Sequence, residues 1–105
     1  MASKSFKSDL VVDLCEAFLD LETVEDVYVF LMDLCTPKEL KDFAERWAVC
    51  QLIAQNKTYR AIRAETGVSL TTIGRVARFL QSEPYGGYKR VLKKREKKYE
   101  KFFEK

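Results

Sequence analysis

The stretch KTYRAIRAETGVSLTTIGRVARF, residues 57–79, decides the fold expected for this chain. Thr58 is placed to cap a helix that ends at Gly67, where glycine tolerates the left-handed conformation of a tight turn. Ser69 is a second N-cap residue, and the apolar residues that follow it recur at helical spacing. Two short helices joined by a glycine turn predict a helix-turn-helix unit.

The side chains of this unit divide into an inward and an outward set. The inward set, which would hold the two helices at a fixed angle, comprises Ile62, Val68, Ile73 and Val76. Thr71, Thr72 and Arg75 then lie outward, where short hydroxyl side chains allow close approach to a DNA major groove and the arginine can reach a phosphate or a guanine edge. Residues 57–78 carry five Lys or Arg and one Glu, which favours DNA contact over an ordinary helical hairpin, the alternative reading.

Length and composition indicate one soluble globular domain. The chain has 105 residues, of which 47% are hydrophobic and 33% are charged. It contains no apolar run approaching the ~20 residues that span a bilayer, and no signal peptide is evident at its start. We therefore expect a cytoplasmic protein without a membrane partner.

The residue inventory argues against an enzyme. Histidine, the commonest general base and transition-metal ligand, is absent from the sequence, as is a glycine-rich phosphate loop. Cys15, Cys35 and Cys50 are widely spaced within apolar helical patterns, which predicts buried thiols rather than disulfides or a metal site. We expect no catalytic residue, no cofactor and no metal.

Charge is distributed unevenly along the chain. Residues 1–56 carry 5 basic and 11 acidic side chains, residues 57–87 carry 5 and 2, and residues 88–105 carry 9 and 3. Attraction to phosphate therefore belongs to the second half of the chain.

The first half predicts three helices. Amphipathic patterns cover residues 9–21 and residues 23–34, and the second of these is apolar on more than one face, so we expect a partner chain to cover them. Thr36 and Pro37 open a third helix that should run to about Asn56. Its Trp47 is predicted to be a core or interface anchor.

The last part of the chain predicts a linker and a basic helix. Pro84 and the Gly86-Gly87 pair mark residues 82–87 as a linker, after which residues 88–105 resume helical spacing. This helix is either a solvated, charged element docked by its apolar stripe or, in addition, a source of non-specific phosphate contacts. The lysines in question are Lys93, Lys94, Lys97 and Lys98.

The order of these elements resembles the Trp repressor superfamily, and in particular its YerC/YecD branch. The resemblance rests on Leu34-Cys35-Thr36-Pro37 opening a helix that contains Glu45-Arg46, and on TYRAIRAETGVSLTTIGRV at residues 58–76. It implies one all-α domain over residues 1–105 that forms an intertwined homodimer. Residues 1–56 would supply the dimerisation helices and residues 57–81 the helix-turn-helix.

The resemblance also implies a partner, double-stranded DNA. Arg60 and Arg63 match basic contact positions on the first helix of the motif, and the start of the second helix faces the bases, partly through water. Together with the outward and basic residues of the motif, the predicted DNA-binding residues are Lys57, Arg60, Arg63, Ser69, Leu70, Thr71, Thr72, Gly74, Arg75 and Arg78.

This chain matches the family's tryptophan-binding residues only in part. Arg46 and Arg75 match the arginines that flank the ligand, but Val76 stands where the family has glycine and Phe79 where it has serine. These side chains would fill the space and remove a polar partner. Tryptophan is therefore an unlikely effector.

The function expected from the sequence is a repressor-like, sequence-specific regulator that binds a pseudo-palindromic site as a dimer. One alternative is a helical dimer that docks another protein without specific DNA binding. A second alternative keeps DNA binding but adds an effector other than tryptophan.

Overall fold

A computed structural model of the protein describes residues 6–95, which form six α-helices and no strand. The helices are α1 (Phe6–Leu19), α2 (Val24–Leu34), α3 (Pro37–Ala54), α4 (Tyr59–Thr66), α5 (Leu70–Gln81) and α6 (Gly87–Lys93). The chain divides into two compact units, residues 1–40 and residues 41–105, which we call the N-terminal and C-terminal units. Within residues 6–95, no helix is both long and apolar enough to cross a bilayer.

In the N-terminal unit, α1 and α2 contact each other through two aromatic rings. The ring centroids of Phe18 and Phe30 lie 5.3 Å apart at an interplanar angle of 81°, an edge-to-face contact. A capping box starts α2: the Thr23 hydroxyl accepts the Asp26 N–H at 3.0 Å, and the Asp26 carboxylate accepts the Thr23 N–H at 3.3 Å. The start predicted for this helix is therefore confirmed.

The apolar side chains of the N-terminal unit remain largely in contact with solvent. Between residues 9 and 40 no side chain is buried. Its exposed large hydrophobic residues are Leu10, Val11, Leu14, Leu19, Val24, Tyr28, Val29, Met32 and Leu34. The excess of apolar surface predicted for these two helices is confirmed.

The third helix begins as its sequence predicts. The Thr36 hydroxyl accepts the Glu39 N–H at 3.1 Å, and the Glu39 carboxylate accepts the Thr36 N–H at 2.9 Å. The helix ends at Ala54, two residues before the predicted end, and Asn56 adopts a left-handed conformation with φ of 65°. Asparagine tolerates this conformation better than most residues, so the chain turns there towards α4.

The core described by the structure lies in the C-terminal unit. Its buried residues are Val49, Cys50, Ile53, Ala54, Ile62, Val68, Ile73, Val76, Ala77, Leu80 and Leu92. All four residues predicted to face inward between α4 and α5 are among them. Trp47 packs half-buried against this core, which confirms its predicted role as an anchor.

The predicted linker is shorter than expected. Helix α6 begins at Gly87, directly after Gly86, which has a left-handed φ of 70°. Leu92 is fully buried and docks this helix, whereas Val91 is 45% exposed. Lys93 and Lys94 lie at its end, while Lys97 and Lys98 fall outside the described residues.

The prediction of three buried thiols is confirmed for Cys50 only. Cys35 is half-buried, and Cys15 is exposed, so the prediction for Cys15 is wrong for the isolated chain. Cys15 does lie on an apolar helix, but the described residues leave its side chain exposed. Burial raises the pKa of the Cys50 thiol to about 12.

Candidate nucleic-acid interface

The turn between α4 and α5 is fixed by side-chain and backbone hydrogen bonds. Gly67 has φ of 75°, which only glycine adopts without strain, and its N–H donates to the Arg63 carbonyl at 2.9 Å. The Thr66 hydroxyl donates to the Ile62 carbonyl at 2.8 Å and accepts the Val68 N–H at 3.1 Å. These bonds hold the two helices of the motif at a defined angle.

Both helices of the motif start at a side-chain cap. The Thr58 hydroxyl accepts the Ala61 N–H at 3.1 Å, and the Ser69 hydroxyl accepts the Thr72 N–H at 3.2 Å. Ser69 also donates to the Thr72 hydroxyl at 3.2 Å. Ser69 and Thr72, two of the predicted DNA-binding residues, therefore also shape the start of α5.

The structure brings most of the predicted site residues to the surface of this motif. Those exposed are Lys57, Arg60, Arg63, Ser69, Leu70, Thr71, Arg75 and Arg78, while Thr72 and Gly74 are half-buried. A β-carbon added to Gly74 would meet no heavy atom within 4 Å outside its own helix. The surface of α5 is therefore open at this position to a close neighbour such as a DNA backbone.

The basic residues of the motif differ in what they contact. Among the described residues, no carboxylate forms an ion pair with Lys57, Arg60 or Arg63. The Arg78 side chain lies 3.6 Å from the Glu83 carboxylate, and the Arg75 guanidinium lies 4.5 Å from the centre of the Phe79 ring. Lys57, Arg60 and Arg63 thus place positive charge on and beside α4 that no carboxylate of the described residues pairs with.

An open groove of about 720 Å³ lies between these two helices, and we call it the α4–α5 groove. It is lined by Tyr59, Arg60, Arg63, Ala64 and Leu70. Sequence reasoning identified the two arginines and Leu70 but missed Tyr59. The available signal was its place as the first residue of α4, directly after the Thr58 cap.

A second open cleft, of about 520 Å³, lies in the C-terminal unit beside Arg46 and Arg75. Val76 and Phe79 line this cleft but leave it open, which corrects the expectation that they would fill the space. The Val76 side chain packs into the core, with 1% exposed, and Phe79 stacks on Tyr85 with ring centroids 6.4 Å apart.

The opposite wall of this cleft is also aromatic. Trp47 and Tyr88 stack with ring centroids 6.4 Å apart. Burial, with a smaller contribution from Cys50, raises the pKa of Tyr88, and the positive charges of Arg46 and Arg75 oppose that rise. Sequence reasoning did not single out Tyr85 or Tyr88, although their positions beside the Gly86-Gly87 pair mark a turn that returns the chain to α3.

The described residues include no group of three or more His, Cys, Asp or Glu side chains that could hold a metal ion. The groups that the motif exposes can instead bind a partner through charge and shape. It consists of exposed guanidinium groups, hydroxyl groups at a helix start and a shallow apolar groove. Groups of these kinds can bind phosphates and base edges.

Comparison with known proteins agrees with this arrangement. Residues 10–104 match the family model described as Trp repressor protein. The uncharacterised protein YerC of Bacillus subtilis (strain 168) is 40% identical over 67 residues, which are 64% of this chain and 64% of YerC. The match therefore spans slightly less than two thirds of that relative.

Two solved structures have the same fold. A TrpR-like protein from Eubacterium eligens ATCC 27750 superposes with a TM-score of 0.76 and 34% identity, covering 82% of this chain and 88% of its own. A candidate Trp repressor from Staphylococcus aureus superposes with a TM-score of 0.76 and 35% identity, covering 88% and 94%. The likeness thus extends over both units of the chain.

Proposed function

Because the chain belongs to the Trp repressor family, we propose that it is a transcriptional regulator that binds double-stranded DNA at a pseudo-palindromic site as a homodimer. The observation that carries this proposal is the α4–α5 motif, whose capped, solvent-facing helix start lies beside Arg60 and Arg63, which form no ion pair with an acidic residue in the described part of the chain. A helix in this setting can enter a major groove and present its first turn to the bases.

We assign the DNA-binding residues two roles. Arg60, Arg63, Thr71, Thr72 and Arg75 carry recognition, since they lie on the motif at positions that reach base edges or adjacent phosphates. The remaining basic side chains, Lys57, Arg78 and the lysines of the last helix, supply salt-sensitive attraction to the phosphate backbone.

The homodimer accounts for the apolar surface of the N-terminal unit. Leu19 and Val24 are 84% and 86% exposed, and exposing such side chains forgoes about 1.5–3 kcal/mol each relative to full burial. A second copy of the same helices would cover them. Two motifs related by a two-fold axis would then meet two half-sites about one helical turn apart.

We further propose that the protein acts without tryptophan. Phe79 replaces a polar partner for the ligand amine, and its ring is occupied by the Arg75 guanidinium and the Tyr85 ring. A ligand amine placed there would lose its hydration without a hydrogen bond in return. Millimolar tryptophan should leave the melting temperature unchanged, and a rise would overturn this part of the proposal.

The test of the proposed function is selection of bound duplexes from a random pool at ~150 mM salt, where non-specific binding is weakened. The expected result is an enriched motif with two-fold symmetry. An Arg60→Ala, Arg63→Ala double variant is the matched control, because both side chains are exposed and their loss spares the core.

A pool without enrichment would overturn the proposal and favour a second candidate, a helical dimer that docks another protein. The exposed apolar surface of the N-terminal unit is the observation that supports this candidate.

A further inference from the structure

Two apolar side chains stand exposed in the α4–α5 groove without a structural role. Tyr59 and Leu70 are the first residues of α4 and α5, and they are 45% and 47% exposed. The caps of these helices are supplied by the preceding residues, Thr58 and Ser69, so capping requires neither side chain. Neither belongs to the buried core of the unit.

The charges around this groove indicate a polyanionic partner. Arg60 and Arg63 line it together with Tyr59 and Leu70, and none of the described residues that line it is acidic. Within residues 9–95, neither arginine has an ion-pair partner. An apolar patch between two cations fits a surface that combines phosphates with an apolar group.

The major groove of DNA offers one such apolar group. Base edges present hydrogen-bond donors and acceptors there, and the only apolar feature among them is the 5-methyl group of thymine. Leucine has no hydrogen-bonding atom in its side chain, so at the first turn of a reading helix it can distinguish bases only through that methyl group.

We propose that Leu70 and Tyr59 form the contact surface for the 5-methyl group of a thymine, while Arg60 and Arg63 hold the phosphates beside it. The inference rests on the proposed function and specifies which base occupies one position of the DNA site. The Leu70 side chain contacts the methyl group, and the face of the Tyr59 ring covers one side of the same methyl group. The base read by this groove is therefore thymine in preference to cytosine or uracil.

The experiment replaces each thymine of a duplex enriched from the random pool, one at a time, by uracil. Uracil keeps every hydrogen-bonding group of thymine and lacks only the methyl group. At one position in each half-site the replacement should weaken binding about fourfold, which corresponds to the ~0.8 kcal/mol expected for one buried methyl-sized group.

A Leu70→Ala variant identifies the side chain responsible. Leu70 is exposed, so its truncation leaves the core intact, and circular dichroism checks that the helices persist. In this variant the fourfold difference between thymine and uracil should disappear at the same position. The Arg60→Ala variant from the same groove is the matched control: it should weaken binding to both duplexes and preserve their fourfold ratio.

The outcomes separate this inference from the proposed function. Enrichment of a symmetric duplex with no thymine whose methyl group matters would overturn the inference alone. A methyl effect that survives in Leu70→Ala would also overturn it, because another side chain would then make the contact. Failure to enrich any duplex would overturn the proposed function and this inference together.

Discussion

The described residues of the C-terminal unit include eleven buried apolar side chains, whereas residues 9–40 of the N-terminal unit include none. Both units are built from capped helices with apolar residues at helical spacing. Helix caps and apolar residues at helical spacing therefore occur in both units, whereas the number of covering elements differs. In the C-terminal unit, α3, α4, α5 and α6 contribute to one core. In the N-terminal unit, α1 and α2 each cover only the side of the other helix that they contact.

This difference separates two sources of stability. A buried core stabilises a chain at any concentration, because every contact is intramolecular. Exposed apolar helices stabilise a protein only when another surface covers them, so their contribution depends on concentration. Under the proposed function the covering surface is a second copy, and four substitutions test that division.

The largest expected effect is on the core of the C-terminal unit. Ile73 is fully buried between the helices of the motif, so Ile73→Ala should lower the free energy of unfolding by about 2–5 kcal/mol through lost burial and a cavity. Denaturant unfolding of wild type and variant measures the change. Thr71→Ala, on the exposed face of the same helix, is the control and should differ from wild type by less than about 1 kcal/mol. Equal effects of the two changes would contradict a core at Ile73.

The second prediction concerns the surface of the N-terminal unit. Leu34→Lys places a charge on this surface and should weaken self-association by at least about thirtyfold, on the basis of a desolvation cost of roughly 2 kcal/mol for each of the two charges. Leu70→Lys is a matched control, since Leu34 and Leu70 are 46% and 47% exposed and the control lies on the DNA-facing motif. Sedimentation equilibrium measures both. Dissociation of both variants, or of neither, would remove the assignment of the dimer surface to the N-terminal unit.

The sequence also predicts contacts within a few residues better than contacts between distant parts of the protein. The caps at Thr58 and Ser69 and the left-handed Gly67 were predictable, because each depends on hydrogen bonds within a few residues. The exposure of Cys15 was not, since apolar spacing indicates that a helix face is covered but not which chain covers it.

The candidate site follows the same rule. Arg60 and Arg63 are assigned to the site through the resemblance to the Trp repressor superfamily, and the structure exposes both on α4. The open cleft beside Val76 could not be foreseen, because it depends on the stacking of Phe79 with Tyr85 after the chain has turned back at Gly86. Residue sizes predicted a filled space, whereas a cleft of about 520 Å³ remains beside Val76 and Phe79.

The third prediction uses the buried thiol of the C-terminal unit. Burial raises the pKa of Cys50 from 9.0 to about 12, so the folded state holds this proton more tightly than the unfolded state. The contribution of the protonated thiol to the free energy of unfolding is complete below pH 9 and is lost as the pH rises towards 12. Between pH 8 and pH 10 the free energy of unfolding should therefore fall by about 1.4 kcal/mol. Tyr88, whose pKa is also raised, acts in the same direction at higher pH.

Cys50→Ala isolates the thiol contribution. Near pH 8 the variant is less stable because of its cavity, but its free energy of unfolding should fall less steeply between pH 8 and pH 10 than that of wild type. Parallel slopes for the two proteins would show that the thiol ionises equally in both states and is not enclosed by the core.

The smallest expected effect has opposite signs for stability and for binding. Gly74 lies inside α5, where alanine is favoured over glycine by about 0.8–1.0 kcal/mol, and a β-carbon there meets open space. Gly74→Ala should therefore raise the free energy of unfolding by up to that amount. If the face of α5 approaches DNA closely, the same methyl group should weaken binding, because it holds the helix away from the duplex. Chemical denaturation and a binding titration on one preparation test both signs, and a variant that gained stability without losing affinity would place Gly74 outside the DNA contact.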